Sequence, residues 1–489
     1  MDNVSFVDHL RLKFPHEKSL LFKDLSLSFH KGEKVLLLGP SGCGKSTLLQ
    51  VLSGLIPKAI EVPIKHEKIQ IPEAWGFVFQ DPDSQFCMPY VDEEIAFVLE
   101  NLQVQRDEMI EKIQELLNTV GLQIDNIHTP IQSLSGGMKQ RLAIASVLAL
   151  NPEVLFLDEP TALLDEQGTA QIWDTIKNIS EHKTVIIVEH KVDQILDFID
   201  RVIVFTPDGK ILADGDVSYV FSNYQEELDH YGIWYPGVWD SYLMRNKLNK
   251  HYKKDGNKHS LRLKNFKGFR NKEVMIAVED AEIYPGEWIS VIGKNGSGKS
   301  TLLLSLMQLL RTTGTYTIHN QCIHKIEDLQ DKAYFVFQNP EYQFITNTVY
   351  DEITYAHQIK KADQQAIRNN ADEILSIFGL KDKIKHHPYQ LSHGQKRRLS
   401  VATAFVQSPK LLLLDEPTFG QDSKNTFKLL EMLENQRKTG TIIIMVTHDQ
   451  QVIKHFGTRV WEVQGGKVIK DWKNNQRSKE DKNAYSFSQ

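Results

Sequence analysis

One nine-residue pattern occurs twice in this chain and restricts its fold more than any other feature. Residues 39–47 read Gly-Pro-Ser-Gly-Cys-Gly-Lys-Ser-Thr, and residues 293–301 read Gly-Lys-Asn-Gly-Ser-Gly-Lys-Ser-Thr. Both copies follow an apolar run and precede a helix-like apolar pattern, which is the context of a phosphate-binding loop. In such a loop, backbone N–H groups and the helix N-terminus hold phosphate oxygens. The sequence therefore predicts two phosphate sites, one in each half.

The two loops supply most of the residues that we expect to bind a nucleotide. Lys45 and Lys299 are expected to neutralise phosphate charge, and the hydroxyls of Ser46 and Ser300 to ligate Mg²⁺. The candidate nucleotide-binding residues are Gly39, Pro40, Ser41, Gly42, Cys43, Gly44, Lys45, Ser46 and Thr47 in the first loop, and Gly293, Lys294, Asn295, Gly296, Ser297, Gly298, Lys299, Ser300 and Thr301 in the second.

The segments after each loop repeat in the same order, which predicts tandem copies of one α/β domain. A serine-glycine turn and an apolar strand ending in Asp-Glu follow each loop, and the interval from serine to aspartate is 23 residues in both halves (158 − 135 and 415 − 392). The predicted parts are a first domain at 1–222, a linker at 223–259, a second domain at 260–473 and a disordered tail at 474–489. We expect the aromatic residues of the linker to pack on a domain face and its basic part to be solvated.

The composition excludes several classes of protein. The net charge of −6 shows no basic bias toward nucleic acid. Cys43, Cys87 and Cys322 are scattered, which argues for a reducing cytosol and against a disulfide framework or metal cluster. We also find no signal peptide and no apolar run approaching the roughly 18–20 residues of a membrane span. If the protein acts at a membrane, partners must supply the membrane part.

Paired acidic residues follow one apolar strand in each half. Asp158 and Asp415 end these strands beside the phosphate loops, where a carboxylate holds Mg²⁺ through water. Glu159 and Glu416 come next and are predicted to polarise the water that attacks the γ-phosphate. Such general-base catalysis contributes roughly 10²–10⁴ in rate.

Two further polar residues end strands at matched positions. Gln80 and Gln338 are expected to reach Mg²⁺ and the attacking water from a neighbouring strand. His190 and His448 are expected to contact the γ-phosphate. A lone histidine at a strand end is usually structural, but recurrence in both halves favours a catalytic function.

The serine-glycine turns predict a second kind of anion site. Each combines a serine hydroxyl, a glycine backbone and a helix N-terminus. The residues concerned are Ser135, Gly136 and Gly137 in the first half and Ser392, His393 and Gly394 in the second. A domain with two half-sites can pair head to tail with its twin and enclose ATP between them.

With these motifs in both halves, the chain resembles the ATP-binding cassette (ABC) ATPases over almost its whole length. The resemblance implies two tandem P-loop NTPase cassettes, each a RecA-like mixed sheet with an antiparallel β subdomain and a helical signature subdomain. It also implies ATP and Mg²⁺ as ligands, D-loops at Asp165 and Asp422, and two composite sites. Each composite site would join one phosphate loop to the serine-glycine turn of the other half, which is called the signature turn in this family. The two halves would pair within the chain rather than by homodimerisation.

A narrower resemblance follows the two glutamines. Residues 79–86 and 337–344 resemble the F-Q-N-P-x-x-Q-F stretch of energy-coupling-factor (ECF) importers, and residues 91–97 and 349–355 resemble the segment after it. Those segments would face a membrane subunit. The resemblance implies a transmembrane scaffold (T) subunit and a substrate-binding membrane (S) subunit as partners, at the cytoplasmic face of the membrane. A single chain with both cassettes is similar to the ATPases of hydroxymethylpyrimidine (HMP)/thiamine importers.

The second half departs from the family pattern in its signature turn. His393 replaces the usual second glycine and is expected to crowd that turn. We therefore hypothesise that both sites hydrolyse ATP, the one using His393 less efficiently. Phe14 is the predicted adenine-stacking residue of the first half, and either Phe266 or Phe269 serves in the second.

Two alternative functions belong to other classes of twin-cassette protein. One is a cytosolic protein acting on ribosomes or nucleic acid, which would carry a longer charged arm or a cysteine cluster. The other is the fused ATPase of a sugar importer, whose second site is usually degenerate. The segments after the glutamines favour the ECF importer over both.

Overall fold

The computed structural model describes residues 2–15, 17, 19–161, 164, 166–190, 192–246, 260–359, 364–407 and 409–474. The basic stretch of the linker, the tail after residue 474 and Asp165 lie outside these ranges. The chain divides into two compact units, Met1–Val238 with Asp422–Lys424 and Trp239–Gln421 with Asn425–Gln489. Within the described ranges, no helix has the length and apolar character needed to cross a membrane.

The first unit contains two β-sheets together with helices. Its strands are β1 (Asn3–Leu12), β2 (Phe22–His30), β3 (Lys34–Leu38), β4 (Ile64–Lys65), β5 (Lys68–Gln70), β6 (Trp75–Val78), β7 (Val154–Asp158), β8 (Thr184–Val188), β9 (Arg201–Phe205) and β10 (Ile211–Gly215). Its helices are α1 (Lys45–Leu52), α2 (Leu55–Lys58), α3 (Val91–Asn101), α4 (Arg106–Thr119), α5 (Gly136–Leu148), α6 (Glu166–Ile179), α7 (Val217–Asn223) and α8 (Gln225–Tyr231).

The central sheet of the first unit places the candidate residues at one edge. Its strand order is β10-β9-β3-β8-β7-β6, with every neighbouring pair parallel except β9 and β10. In the β3 register, Leu36 lies opposite Ile187 on one side and Val202 on the other. Strands β7 and β8 are buried along their whole length, as continuous apolar runs predict for parallel strands. The carboxyl ends of β3, β6, β7 and β8 therefore meet at the edge where ligands bind in such sheets.

The second unit follows a similar order of strands and helices. After α9 (Val238–Arg245) its strands are β11 (Leu261–Arg270), β12 (Glu273–Ile283), β13 (Trp288–Ile292), β14 (Arg311–Ile318), β15 (Gln321–Cys322), β16 (Ala333–Val336), β17 (Leu411–Asp415), β18 (Ile442–Val446), β19 (Arg459–Gln464) and β20 (Lys467–Lys473). Its helices are α10 (Lys299–Leu306), α11 (Val349–Ile359), α12 (Gln364–Ile377), α13 (His393–Val406), α14 (Ser423–Lys438) and α15 (Gln450–His455).

The two units differ in how their antiparallel strands join the central sheet. In the first unit β2, β1, β4 and β5 form a separate antiparallel sheet. In the second unit the order is β15-β14-β11-β12-β20-β19-β13-β18-β17-β16, and a single pair, Ala277 with Lys467, connects the antiparallel part to the rest. Both units thus have the mixed α/β architecture that the repeated sequence predicts.

A helical layer and one linker helix complete the units. Helix α3 packs against α4 and α5, and α11 packs against α12 and α13, so each layer contains the helix that follows a signature turn.

From Trp239 onward, α9 belongs to the second unit. The ring of Tyr242 stacks on Phe427 at 4.0 Å, and Trp239 meets the same ring edge-on at 4.9 Å. These aromatic residues of the predicted linker therefore pack against α14.

Candidate nucleotide-binding and hydrolysis sites

The two phosphate loops have closely similar backbones. Gly44 and Gly298 precede α1 and α10 and have φ angles of 105° and 107°. This is a left-handed conformation that residues other than glycine rarely adopt. A Cβ atom at Gly44 would lie 2.7 Å from the ring of Phe22, so this position also lacks space. Each glycine turns the chain into its helix, whose N-terminal N–H groups are the expected phosphate donors.

The two loop lysines are held by the backbone of their own loops. Nζ of Lys45 donates to the carbonyls of Gly39 at 2.7 Å and Pro40 at 3.2 Å. Nζ of Lys299 donates to the carbonyl of Gly293 at 2.7 Å and to that of the next residue at 3.0 Å. Both side chains are buried, at 7% and 6% exposure. A positive charge is therefore fixed beside each predicted phosphate cradle.

The serine and aspartate predicted to hold Mg²⁺ meet in both units. The hydroxyl of Ser46 donates to Oδ1 of Asp158 at 2.8 Å, and Ser300 makes the matching hydrogen bond to Asp415. Burial raises the pKa of Asp158 to about 6, although the hydrogen bond from Ser46 acts in the opposite direction. A partly buried hydroxyl and a buried carboxylate are hard oxygen donors of the kind that Mg²⁺ prefers, so these pairs fit the ion.

The first unit joins its predicted catalytic residues in one network. Oε2 of Glu159 accepts a hydrogen bond of 2.9 Å from Nε2 of Gln80, and Oε1 lies 3.0 Å from Nε2 of His190. Burial lowers the pKa of His190, but the charge and hydrogen bond of Glu159 more than offset this effect and raise it. Glu159 has a φ of 49°, an uncommon conformation for a residue other than glycine. The glutamate is thus held from both sides in one orientation.

A buried acid that the sequence analysis did not single out supports this network. Glu189 is 3% exposed and accepts hydrogen bonds from the hydroxyl of Thr161 at 2.7 Å and from the backbone N–H of His190 at 2.8 Å. Burial raises the pKa of Glu189. An acidic residue at the end of an otherwise apolar strand was the available sequence signal. Glu189 fixes the loop that carries His190 relative to the loop after Glu159.

The second unit holds its glutamate less closely. Nε2 of His448 lies 3.3 Å from Oε1 of Glu416 but lacks the alignment of a hydrogen bond. Glu416 has the same φ of 49° as its counterpart. The residue before the histidine is Thr447, whose hydroxyl accepts a hydrogen bond from the backbone of Asp449 at 3.1 Å. The two predicted catalytic sets therefore share their backbone geometry but differ in their side-chain contacts.

The signature serines start helices in both units. Ser135 caps α5 by accepting from the N–H of Met138 at 3.3 Å, before Gly136 and Gly137. Ser392 caps α13, and its own N–H donates to the side-chain Oε1 of Gln395 at 3.0 Å. His393 begins α13 and is followed by Gly394, while the His393 side chain lies outside the described part. The helix N-termini that the second anion site requires are thus present.

The structure separates the candidate adenine-stacking residues. Phe14 lies in the loop after β1 and is 37% exposed, as a stacking surface requires. Phe266 is 1% exposed and packs edge-on against Tyr316 at 5.7 Å in the core. The alternative that used Phe266 is therefore wrong, because no face of its ring is accessible to a base. Phe269 is partly exposed and remains the prediction for the second half.

In each F-Q-N-P-x-x-Q-F-like stretch, the second glutamine donates hydrogen bonds to the helix that follows the signature turn, which is α5 in the first unit and α13 in the second. Gln85 donates to the carbonyl of Ala143 at 3.0 Å, and Gln343 donates to the carbonyl of Ser400 at 2.9 Å and to the hydroxyl of Thr403 at 2.6 Å. These contacts explain why the residue recurs at this interval from the first glutamine.

A buried glutamate in the next helix holds the same loop. Oε2 of Glu94 accepts from the N–H groups of Cys87 and Met88 at 2.9 Å each. Oε2 of Glu352 accepts from the N–H groups of Ile345 at 3.1 Å and Thr346 at 2.9 Å. The segments after the glutamines are thus ordered by the cassette itself, which leaves other side chains of these segments free to point outward.

Comparison with known proteins gives the same assignment for both halves. The ABC transporter family profile matches residues 22–162 and 279–419. A Bacillus subtilis protein named for HMP/thiamine import, the ATP-binding protein YkoD, is 36% identical over 94% of this chain and 89% of its own length. An ABC transporter ATP-binding protein of Sulfurisphaera tokodaii is 34% identical over 96% of this chain and 100% of its own. A solved ATP-binding cassette in a dimeric post-hydrolysis state with ADP and phosphate is 29% identical and covers 44% of this chain, with a TM-score of 0.40.

Proposed function

This chain belongs to the ABC transporter family, and on that premise we propose that it is the energy-coupling ATPase of an ECF-type importer of a vitamin or vitamin precursor. As a member of that family it binds ATP and couples ATP hydrolysis to transport through membrane partners. The finer proposal concerns the kind of importer, its cargo and the residues that act. The similarity to YkoD over most of both chains supports HMP or thiamine as the cargo.

The observation that carries the hydrolytic part of the proposal is the network around Glu159. Its carboxylate is held between Gln80 and His190. Glu159 directly follows Asp158, which accepts a hydrogen bond from Ser46. A carboxylate fixed in this way accepts the proton of a water molecule as that water attacks the γ-phosphate. Glu416 acts in the same way in the second half. Bound Mg²⁺ would neutralise phosphate charge. The serine–aspartate pairs of both halves would hold it, the aspartates through water, and Gln80 and Gln338 would reach it from the neighbouring strand.

The proposal includes the paired arrangement that family membership implies. Each phosphate loop would be completed by the signature turn of the other half, so the loop with Lys45 would use Ser392 and the loop with Lys299 would use Ser135. ATP binding would then bring each phosphate loop and its signature turn together, and hydrolysis would let them separate. Domain closure of this kind can drive a conformational change in a bound membrane partner. On this basis we propose that the site using His393 turns over more slowly.

Exposed apolar side chains support a membrane partner at the segments after the glutamines. Tyr342 is 76% exposed, Ile345 is 65% exposed and Tyr355 is 41% exposed in the second half. Phe97 is 38% exposed in the matching segment of the first half. Clusters of exposed apolar residues commonly mark interaction sites. We propose that these segments dock on the transmembrane T subunit at the cytoplasmic face, and that a separate S subunit binds the cargo.

Purification of the tagged chain from gently solubilised membranes of its own host tests the proposal directly. We expect mass spectrometry to find a small multi-span membrane protein and a second membrane protein that binds HMP or thiamine. Recovery of ribosomal proteins or RNA without a membrane companion would instead support a cytosolic twin-cassette function. Recovery of permeases that carry sugar would favour the sugar-importer alternative.

A further inference from the structure

The second unit contains a buried cation that the proposed chemistry does not use. Arg397 lies in the second turn of α13 and is 2% exposed. Its N–H groups all reach backbone carbonyls. Nη1 donates to Phe337 and to Gln338 at 3.0 Å, Nη2 donates to Asp415 at 2.6 Å and to Glu416, and Nε donates to Pro417 at 3.3 Å.

These five carbonyls belong to the two loops that carry the predicted catalytic side chains. One pair of carbonyls follows β16 and includes that of Gln338, while the others end β17 and include that of Glu416. Strands β16 and β17 are parallel neighbours, so their carboxyl ends lie side by side. A guanidinium group is planar and presents its five donors in a rigid fork. One side chain of the helical layer therefore sets the separation of both loops.

The equivalent position in the first unit holds a different residue. Gln140 follows Ser135 at the same interval as Arg397 follows Ser392, and it is 3% exposed. Its amide offers two N–H donors, and within the described ranges its Nε2 has no hydrogen-bond partner. The first unit instead joins the two loops through the side chains of Gln80 and Glu159, at 2.9 Å. The two units thus connect the same pair of loops by different means.

We propose that Arg397 is a positioning residue for ATP hydrolysis at the second phosphate loop, acting through the backbone of Gln338 and Glu416. This inference rests on the proposed role of Glu416 as the general base. Because small displacements of a catalytic group cost up to about 10²-fold in rate, loss of the fork reduces turnover without removing any group that touches ATP.

The charge of Arg397 remains in place at neutral pH. Burial lowers the pKa of Arg397 to about 10, and the nearby carboxylates of Asp415 and Glu416 act in the opposite direction. A lysine at this position retains the charge but offers three donors without the fork, and a glutamine offers two donors without charge. The substitutions Arg397→Lys and Arg397→Gln therefore separate the loss of geometry from the loss of charge.

A double-mutant cycle in the full chain tests the inference. ATP turnover and ATP affinity are measured for wild type, Arg397→Gln, Glu416→Gln and the double variant, with Arg397→Lys in addition. We expect Arg397→Gln to lower kcat toward the value of Glu416→Gln and to leave the Kd for ATP within about twofold. The double variant should then match Glu416→Gln, and Arg397→Lys should be intermediate.

Arg437→Lys is the matched control for general loss of stability. Arg437 is also 2% exposed in the second unit, where it pairs with Glu434 at 2.7 Å and donates to the carbonyl of Gly286. We expect this variant to unfold at a lower temperature but to keep the wild-type kcat below that temperature. Wild-type kcat in Arg397→Gln overturns the role of Arg397. An equal loss of kcat in Arg397→Gln and Arg437→Lys overturns it as well. Full turnover in Glu416→Gln would instead refute the proposed general base.

Discussion

At the scale of single residues, we propose that the glutamates after β7 and β17 decide whether the sites hydrolyse ATP. We expect Glu159→Gln and Glu416→Gln each to lower steady-state ATP turnover while leaving ATP binding intact, because the amide cannot accept the proton of the attacking water. Removal of a general base costs roughly 10²–10⁴ in rate at the affected site. A phosphate-release assay with separate nucleotide-binding measurements checks this. Glu115→Gln, on the exposed side of α4, is the control, and full turnover in either test variant would exclude that glutamate as the base.

Glu189 makes the first site differ from the second. Glu189→Ala removes the acceptor shared by Thr161 and the N–H of His190, so the histidine loses its fixed distance to Glu159. We expect kcat to fall several-fold with little change in the Kd for ATP. Thr447→Ala, at the equivalent position of the second unit, should have a smaller effect because Thr447 accepts one backbone hydrogen bond. Equal losses in the two variants would show that Glu189 has no special positioning function.

At the scale of helices and strands, the docking of α9 should stabilise the second unit. Tyr242 is 7% exposed and stacks on Phe427 of α14, so Tyr242→Ala leaves a cavity between the two helices. Removing a large buried aromatic side chain costs about 3–5 kcal/mol of unfolding free energy. Denaturant unfolding of the full chain measures this. Met244 is on the same helix and 83% exposed, so Met244→Ala should leave the unfolding transition unchanged. If Tyr242→Ala unfolds at the same denaturant concentration as Met244→Ala, α9 contributes no stability.

How far the sequence predicts these elements depends on the range of the interactions involved. The strands that lead to Gln80 and Asp158 are apolar runs followed or ended by a polar residue, so local pattern alone places them. The five carbonyls around Arg397 come from segments about 60 and 20 positions away, and no local pattern indicates that they converge. The burial of Phe266 likewise depends on Tyr316 from another strand. The positions of these residues at the carboxyl ends of strands were thus predictable, whereas the contacts that hold them in place were not.

At the scale of the whole molecule, the proposed import function requires the cassette surface to bind a membrane protein. Tyr342 is 76% exposed in a loop whose backbone is held by Gln343 and Glu352, so its substitution removes a surface side chain without removing those hydrogen bonds. We expect Tyr342→Ser to keep the wild-type unfolding temperature and ATP affinity, and to recover less membrane protein when the tagged chain is purified from solubilised membranes.

The matched control for this docking experiment lies on another part of the second unit. Val274, on β12, is 49% exposed and far along the chain from the segments after the glutamines. Val274→Ser should retain the full amount of the membrane companion. Because an exposed apolar side chain at an interface contributes through burial, the loss in Tyr342→Ser should persist at high salt, where purely charged contacts weaken. Wild-type recovery in Tyr342→Ser, or equal losses in both variants, would place the membrane contact elsewhere on the chain.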